Sequence, residues 1–246
     1  MVNQKSSNEG LVKQLFAVGA QFGYSKSRSH PSLRSFIFGF KNRHAVIDLE
    51  QTASQLARAS DFVKQLAQEG KEVLWVGNKD EAREAVRRVA ESLSAPYVAS
   101  RWLGGTFTNW TQIKGRIERL KDLKQKREKG ELSIYTKKER LLIDREIARL
   151  ERYLESLSGM AKLPAAVVVI DPQQEMIVVR EARQMKIPVI ALIGSDCDIA
   201  GITYPVVAND ASIQSIKFFT EQLAEAYSAG QKLAQVAAPA AVSATV

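Results

Sequence analysis

Short apolar runs alternate along the chain with longer stretches whose apolar residues recur every three or four positions. The runs at 71–77, 165–170 and 187–193 are short, rich in Val and Ile, and read as buried strands. From Asn78 to about Leu93 the spacing becomes helical, and Asn78 with Glu81 makes a capping-box pattern. Asp171 can cap the helix after the second run, with Pro172 in a first position that needs no N–H. A short strand at 204–207 follows the third run, and Asn209 or Asp210 then caps a helix to about Tyr227. Upstream, a strand begins near Phe36 and another at 45–48, after which Asp48 and Gln51 introduce a helix through about Gln68. Strands alternating with helices of this length imply right-handed crossovers and a mostly parallel α/β sheet.

The rhythm breaks between residues 111 and 158, which hold no strand candidate and are dense in Lys, Arg and Glu. Ile113, Ile117, Leu120 and Leu123 keep helical spacing, Lys129-Gly130 interrupts, and Thr136 with Glu139 can cap a second helix. In that helix Ile143, Ile147, Leu150, Leu154 and Leu157 form a heptad seam. Two helices with single apolar stripes and a short connection should pair antiparallel, each arm reaching roughly 30 Å. The segment is read as a coiled-coil hairpin inserted into the α/β domain, against the alternative of two surface helices lying on the sheet. The α/β domain is then discontinuous, 1–110 and 159–229, and 230–246 reads as a disordered tail. Between residues 20 and 35, Lys26, Arg28 and Arg34 stand among serines and glycine, so an exposed basic loop is expected there.

Charge adds a class of partner. Lys and Arg number 35 against 27 Asp and Glu, a net +8, which favours polyanions because neutralised phosphates release counterions. No apolar run approaches the roughly 20 residues needed to span a bilayer, and the polar N-terminus has no signal-peptide core. The single Cys197 excludes an internal disulfide and a Cys-cluster zinc site, so a reduced, cytosolic setting is expected.

Catalytic chemistry finds little footing. The turn Gly77-Asn-Lys-Asp80 lacks the glycine triplet of a dinucleotide loop, and no glycine-rich loop ends in Gly-Lys-Ser/Thr. His30 and His44 have no Ser or Cys partner in a recognisable elbow, and His44 reads as a structural histidine. Cys197, between Asp196 and Asp198, should have a raised thiol pKa and weak nucleophilicity. Asp196, Asp198 and Asp210 could gather around a hard cation, but aspartates after strands more often serve turns and caps, and no metal or cofactor is assigned. In Arg101-Trp-Leu-Gly-Gly-Thr-Phe-Thr-Asn-Trp110, Arg101 can pair with phosphate, and Asn109 can meet bases or sugars. Trp102 is read as locking the root of the hairpin onto the domain. Trp110 serves either that purpose or an RNA contact.

These residues carry a resemblance. The chain resembles the bacterial-type family of small-subunit ribosomal protein two, from Gly19-Ala-Gln-Phe-Gly23 through Phe36-Ile-Phe-Gly39 and Val46-Ile-Asp-Leu-Glu-Gln-Thr52. Ser100-Arg-Trp-Leu-Gly-Gly-Thr-Phe-Thr-Asn109 is the most distinctive stretch; Leu163-Pro-Ala, Val169-Ile-Asp171, Glu181-Ala, Ile187-Pro-Val-Ile-Ala, Cys197-Asp198, Ala208-Asn-Asp210 and Ser215-Ile continue it. The resemblance implies a Rossmann-like (flavodoxin-like) domain with an inserted coiled-coil hairpin and a structural, non-catalytic role in the small ribosomal subunit. It further implies contact with small-subunit ribosomal RNA and with other proteins of that subunit, including the large mRNA-binding protein one, and hence a part in assembly and translation initiation. Neither a membrane partner nor a homo-oligomer is expected, and the location is the cytoplasmic ribosome or an organellar one. Gln21 and Tyr24 stand where the family usually has histidines, and Ser29-His-Pro-Ser32 where it has Asn-Pro-Lys.

The expected RNA contacts are Lys26, Arg28, Arg34, Lys41, Arg43, Arg101, Asn109 and Trp110. Two other readings compete: a nucleotide-dependent enzyme on the same fold, and a free adaptor whose coiled coil binds a partner helix.

Overall fold

The computed structural model describes residues 2–237. Helix α1 (Val2–Ala17) leads into a three-stranded antiparallel sheet of β1 (Phe22–Ser25), β2 (Ile37–Lys41) and β3 (His44–Ile47), ordered β1-β3-β2. The strand at 45–48, expected beside the parallel ones, therefore belongs to this smaller sheet. Asn42 and Arg43 take φ of 50° and 67°, so a tight two-residue turn reverses the chain between β2 and β3. The supposed loop at 20–35 is also structured, holding β1 and a 3-10 turn (Pro31–Phe36) pinned by the fully buried Leu33.

Helix α2 (Leu49–Gln68) begins at Asp48, whose Oδ1 accepts the N–H groups of Glu50 and Gln51. Then come β4 (Val73–Val76), α3 (Asp80–Leu93) and β5 (Tyr97–Val98), the last too short for its pattern to show in the sequence. The expected Asn78–Glu81 capping box does not form. The helix starts later, at Asp80, and the Asn78 N–H is taken by Glu175 at 3.1 Å.

Helices α4 (Trp110–Glu128) and α5 (Lys137–Leu154) form the helical arm. Gly130, at φ 72°, turns the chain, and Thr136 and Glu139 close the expected capping box. Leu120, Leu123 and Ile147 form a small core between the helices, whereas Ile113, Ile117, Leu154 and Leu157 pack into the core of the main sheet.

The remaining elements are β6 (Ala166–Ile170), α6 (Met176–Gln184), β7 (Val189–Ile193), β8 (Tyr204–Val207) and α7 (Ile213–Ala237). Asp171 does not cap α6 directly. At φ 59° it accepts from the N–H groups of Gln173 and Gln174 in a turn, and the helix begins at Met176. Helix α7 runs past residue 230, where the sequence pattern placed the start of a tail. The helix is held there by a tertiary contact: Gly230 lies against the Lys64 carbonyl of α2, with no room for a side chain. Residues 238–246 of that expected tail lie outside the described residues.

Five parallel strands, ordered β5-β4-β6-β7-β8, make the central sheet, and β4, β6 and β7 are buried throughout. Alternate residues face opposite ways. Trp75, Val168, Ile190 and Leu192 meet α2, α3 and α7, while Leu74, Val76, Val167 and Val169 meet α6 and the root of the arm. This is the flavodoxin-like order, whose ligand position lies at the carboxyl ends of the strands. No helix among the described residues is long and apolar enough to cross a membrane.

Candidate nucleic-acid interface and the polar strand ends

The carboxyl ends of β4, β6, β7 and β8 converge on a buried polar cluster. Lys79 Nζ lies 3.1 Å from Asp171 Oδ2 and 3.5 Å from Asp210 Oδ2, and donates to Tyr24 Oη at 3.2 Å. Burial alone would lower the Lys79 pKa, but Asp210 and Asp171 outweigh it and push it up. Burial, then the neighbouring Asp171, raises Asp210 to about 7 in spite of Lys79. These two directions fit together if Asp171, the closer and hydrogen-bonded partner, holds the ammonium while Asp210 is ionised late. Burial and Asp210 raise Tyr24 to about 12. Tyr24, standing where the resemblance leads one to expect a histidine, thus belongs to the cluster; the Gln21 Oε1 is buried without a partner among the described residues.

This cluster fastens the segment from β1 onward across the sheet. Ser195 Oγ accepts the Tyr24 N–H at 2.8 Å, and the Ser195 carbonyl accepts the His30 N–H at 2.9 Å. Gly23 is required here, because a Cβ would stand 2.9 Å from Ser195 Oγ. Arg28 bridges to Asp196 at 3.1 Å and lies over the Tyr24 ring, 4.6 Å from its centroid.

Asp196, Asp198 and Asp210 do not come together as a cation site. Asp196 takes Arg28, Asp210 faces Lys79, and the exposed Asp198 accepts the Ala200 N–H; no group of three or more metal-ligating side chains occurs among the described residues. Cys197 is buried, and its thiol pKa is pushed up by burial first and then by Asp171 and Asp210, rather than by the two flanking acids alone. His44, read as a structural histidine, is instead exposed on β3.

The predicted contact residues fall into two groups. Lys26, Lys41 and Arg43 are exposed at one end of the antiparallel sheet, where Lys41 pairs with His44 across the turn and the Lys26 N–H bonds the Arg43 carbonyl at 2.8 Å. Arg34 is exposed on the adjoining 3-10 turn, and Arg28 is partly committed to Asp196. Three exposed phenylalanines, Phe22, Phe38 and Phe40, stand on the strands of this sheet, Phe38 with 83% of its surface free, and Lys26 Nζ lies 5.5 Å from the Phe40 ring centroid. Phe22, which pairs with Val46, and Phe40, which pairs with Ala45, lie on opposite faces of the sheet, and neither exposure was legible in the sequence.

Arg101, Asn109 and Trp110 form the second group, toward the β5 edge of the main sheet. Arg101 and Asn109 are exposed; Trp110 is half-buried against the core that holds the arm's root. Their loop is organised by Glu181 of α6, which sequence reasoning also missed. Its carboxylate accepts the N–H groups of Gly105 at 2.7 Å, Phe107 at 2.9 Å and Thr108 at 3.3 Å, and the Trp102 indole N–H at 3.3 Å. Trp102 is buried and meets Phe107 edge-on at 4.9 Å, so it locks this loop into the domain. The available signal was a Glu on the buried face of a helix, three residues after Val178 and beside Ala182.

A flavodoxin-like sheet with a buried ion cluster beyond the ends of β6, β7 and β8, a helical arm and a small antiparallel sheet with a basic end defines a doubly wound α/β protein without a nucleotide-binding loop. Residues 15–230 match the family described as ribosomal protein S2, and the chain belongs to that family. It is therefore a structural protein of the small ribosomal subunit, from a non-enzymatic class, and part of the ribonucleoprotein that carries out translation.

Proposed function

We propose that the chain binds small-subunit ribosomal RNA through its basic sheet face and helps hold the large mRNA-binding protein one, thereby supporting subunit assembly and translation initiation. On this reading it works in the cytoplasmic ribosome without catalysis, cofactor or homo-oligomer, and 111–158 is an arm inserted into the α/β domain. The observation that carries the RNA contact is the grouping of Lys26, Lys41 and Arg43 at one end of the antiparallel sheet, with Arg34 on the turn beside them. Such a preorganised cationic edge can meet several phosphates without first ordering a loop. Phe38, with 83% of its surface free on β2, leaves apolar surface beside these charges that the proposed protein partner could cover.

The test is the salt dependence of binding to small-subunit ribosomal RNA. Arg34→Gln, Lys41→Gln and Arg43→Gln together should flatten log affinity against log salt by about 2.1–2.7 units, at roughly 0.7–0.9 per lost phosphate contact. Arg28 is left intact because its bridge to Asp196 would mix a folding effect into the result. A control at Lys137 and Lys138, exposed on the arm, should change the slope less. An equal change would move the contact surface to the arm. Separately, the endogenous protein should sediment with the small subunit at moderate salt; finding it wholly in the soluble fraction would refute the ribosomal assignment.

A further inference from the structure

The strand order puts the fold's usual ligand position between β4 and β6, where α3 leaves to one face of the sheet and α6 to the other. A crevice of about 610 Å³ opens there, within the size range of small-ligand sites. Asn78, Arg83, Arg101, Arg152, Tyr153 and Glu175 line it. Glu175 is its most buried member, at 3% exposure, and its Oε1 accepts the Asn78 N–H at 3.1 Å. Arg83 is partly committed, with Nε donating to the Asn78 carbonyl at 3.0 Å and a bridge to Asp80 at 2.8 Å. Arg101 and Arg152 are exposed, and neither forms a salt bridge among the described residues. The Arg152 guanidinium lies over the Tyr153 ring at 5.6 Å, and Ser100 Oγ donates to the Arg152 carbonyl at 3.0 Å. That bond ties the loop bearing Arg101 to the helix bearing Arg152. Two uncommitted guanidinium groups, an aromatic ring and a buried carboxylate thus share one opening.

We propose that this crevice takes one unpaired guanosine of an RNA strand, with backbone phosphate on Arg101 and Arg152 and the base edge on Glu175. The inference rests on the RNA-binding reading above and adds a second, sequence-selective contact to it. A guanidinium plane meets phosphate oxygens in a fork and also stacks on bases. Above its pKa of about 7, Glu175 is a carboxylate and only accepts. Guanine is the base whose Watson–Crick edge sets two N–H donors side by side, whereas uracil has one donor between two acceptors and adenine and cytosine set a donor beside an acceptor. Unpaired bases held on aromatic faces and recognised along that edge are the usual route to sequence selection in RNA. The crevice has no glycine-rich phosphate cradle, so its grip on phosphate falls to side chains at the mouth, which suits a passing backbone better than a free diphosphate.

Fluorescence anisotropy on the full chain at about pH 8.5, where Glu175 is ionised, tests this, using labelled oligouridine and the same strand with one central guanosine. The guanosine strand should bind about fivefold tighter or better. Arg101→Gln with Arg152→Gln should weaken both strands roughly tenfold and flatten the salt slope by about 1.4. Glu175→Gln, whose amide oxygen can still accept the Asn78 N–H, should abolish the preference for guanosine, bringing the two strands to within about twofold of each other. The triple variant at Arg34, Lys41 and Arg43 should weaken both strands alike and keep the preference, which separates failure of the crevice from failure of the basic face. Survival of the preference in Glu175→Gln, or binding by the double arginine variant within about twofold of the parent, overturns the proposal. So does competition by free GMP at the concentration at which the guanosine strand itself competes, because the crevice would then be a mononucleotide site.

Discussion

Replacing Lys79 with Met should destabilise the protein by an amount that grows with pH. In the parent, the ammonium stands between two carboxylates whose side chains are only 7% and 1% exposed. Its removal costs Asp171 a charged hydrogen bond, worth about 1.5–3 kcal/mol. The Asp210 contribution depends on pH. Its native pKa of about 7 exceeds its ordinary 3.8, so in the parent it keeps its proton on folding and loses it near neutrality. Without Lys79 that loss is postponed, and every pH unit above 7 adds about 1.4 kcal/mol to the difference between variant and parent. The penalty should therefore be about 1.5–3 kcal/mol at pH 5.5 and about 2 kcal/mol larger at pH 8.5, approaching the range seen for broken buried pairs. Urea denaturation followed by circular dichroism at both pH values measures it. Adding Asp210→Asn should recover the extra 2 kcal/mol or so at the higher pH, since no proton then has to be retained. A penalty that does not change with pH, or a double variant no more stable than Lys79→Met there, would refute this account of the cluster.

The parent should carry the same signature in milder form. Asp210 and Glu175 both have native pKa values raised to about 7, chiefly by burial, so the native state binds more protons than the unfolded one between about pH 4 and 7. Their joint contribution to stability falls across that window, and Asp210→Asn or Glu175→Gln should each flatten the measured slope. Glu181→Ala leaves three backbone N–H groups and the Trp102 indole without their acceptor, costing roughly 2–4 kcal/mol, and should red-shift the Trp102 emission. Native Cys197 should resist iodoacetamide at pH 8 and react only after denaturation, because burial pushes its pKa up; rapid labelling of the folded chain would contradict its placement. Ile147→Asp should open the arm alone, whereas Leu154→Asp should also loosen the main sheet, as hydrogen exchange on β6 and α4 can distinguish.

Local pattern was enough for the strands and helices that bury one kind of surface. The continuous runs that became β4, β6 and β7, the start of α2 at Asp48, and the Thr136–Glu139 box of α5 all depend on residues within a few positions of each other. The apolar spacing of α5 was legible too, but only the fold shows that Leu154 and Leu157 pack into the main sheet rather than between the two helices of the arm. Membership of a ribosomal family was legible as well, because it is carried by an ordered series of short motifs over most of the chain.

Tertiary structure decided what depends on distant partners. Asn78 looks like a cap, yet its N–H is claimed by Glu175, nearly a hundred residues later, and the helix starts beyond it. The segment at 20–35 looks like a free basic loop because its anchors are Leu33, the backbone of Tyr24 and the carbonyl of Ser195, none of which is announced by composition. Helix α7 continues past Gly230 because α2 presses against it, although the residues there have weak helical patterning of their own. Charge shows the same division. The sequence counts a net +8, but only the fold separates Lys79, spent inside on Asp171 and Asp210, from Lys26, Lys41 and Arg43, left outside. A side chain's type determines what it can bind. Its desolvation and its neighbours, which exist only once the chain has folded, determine what it is free to bind.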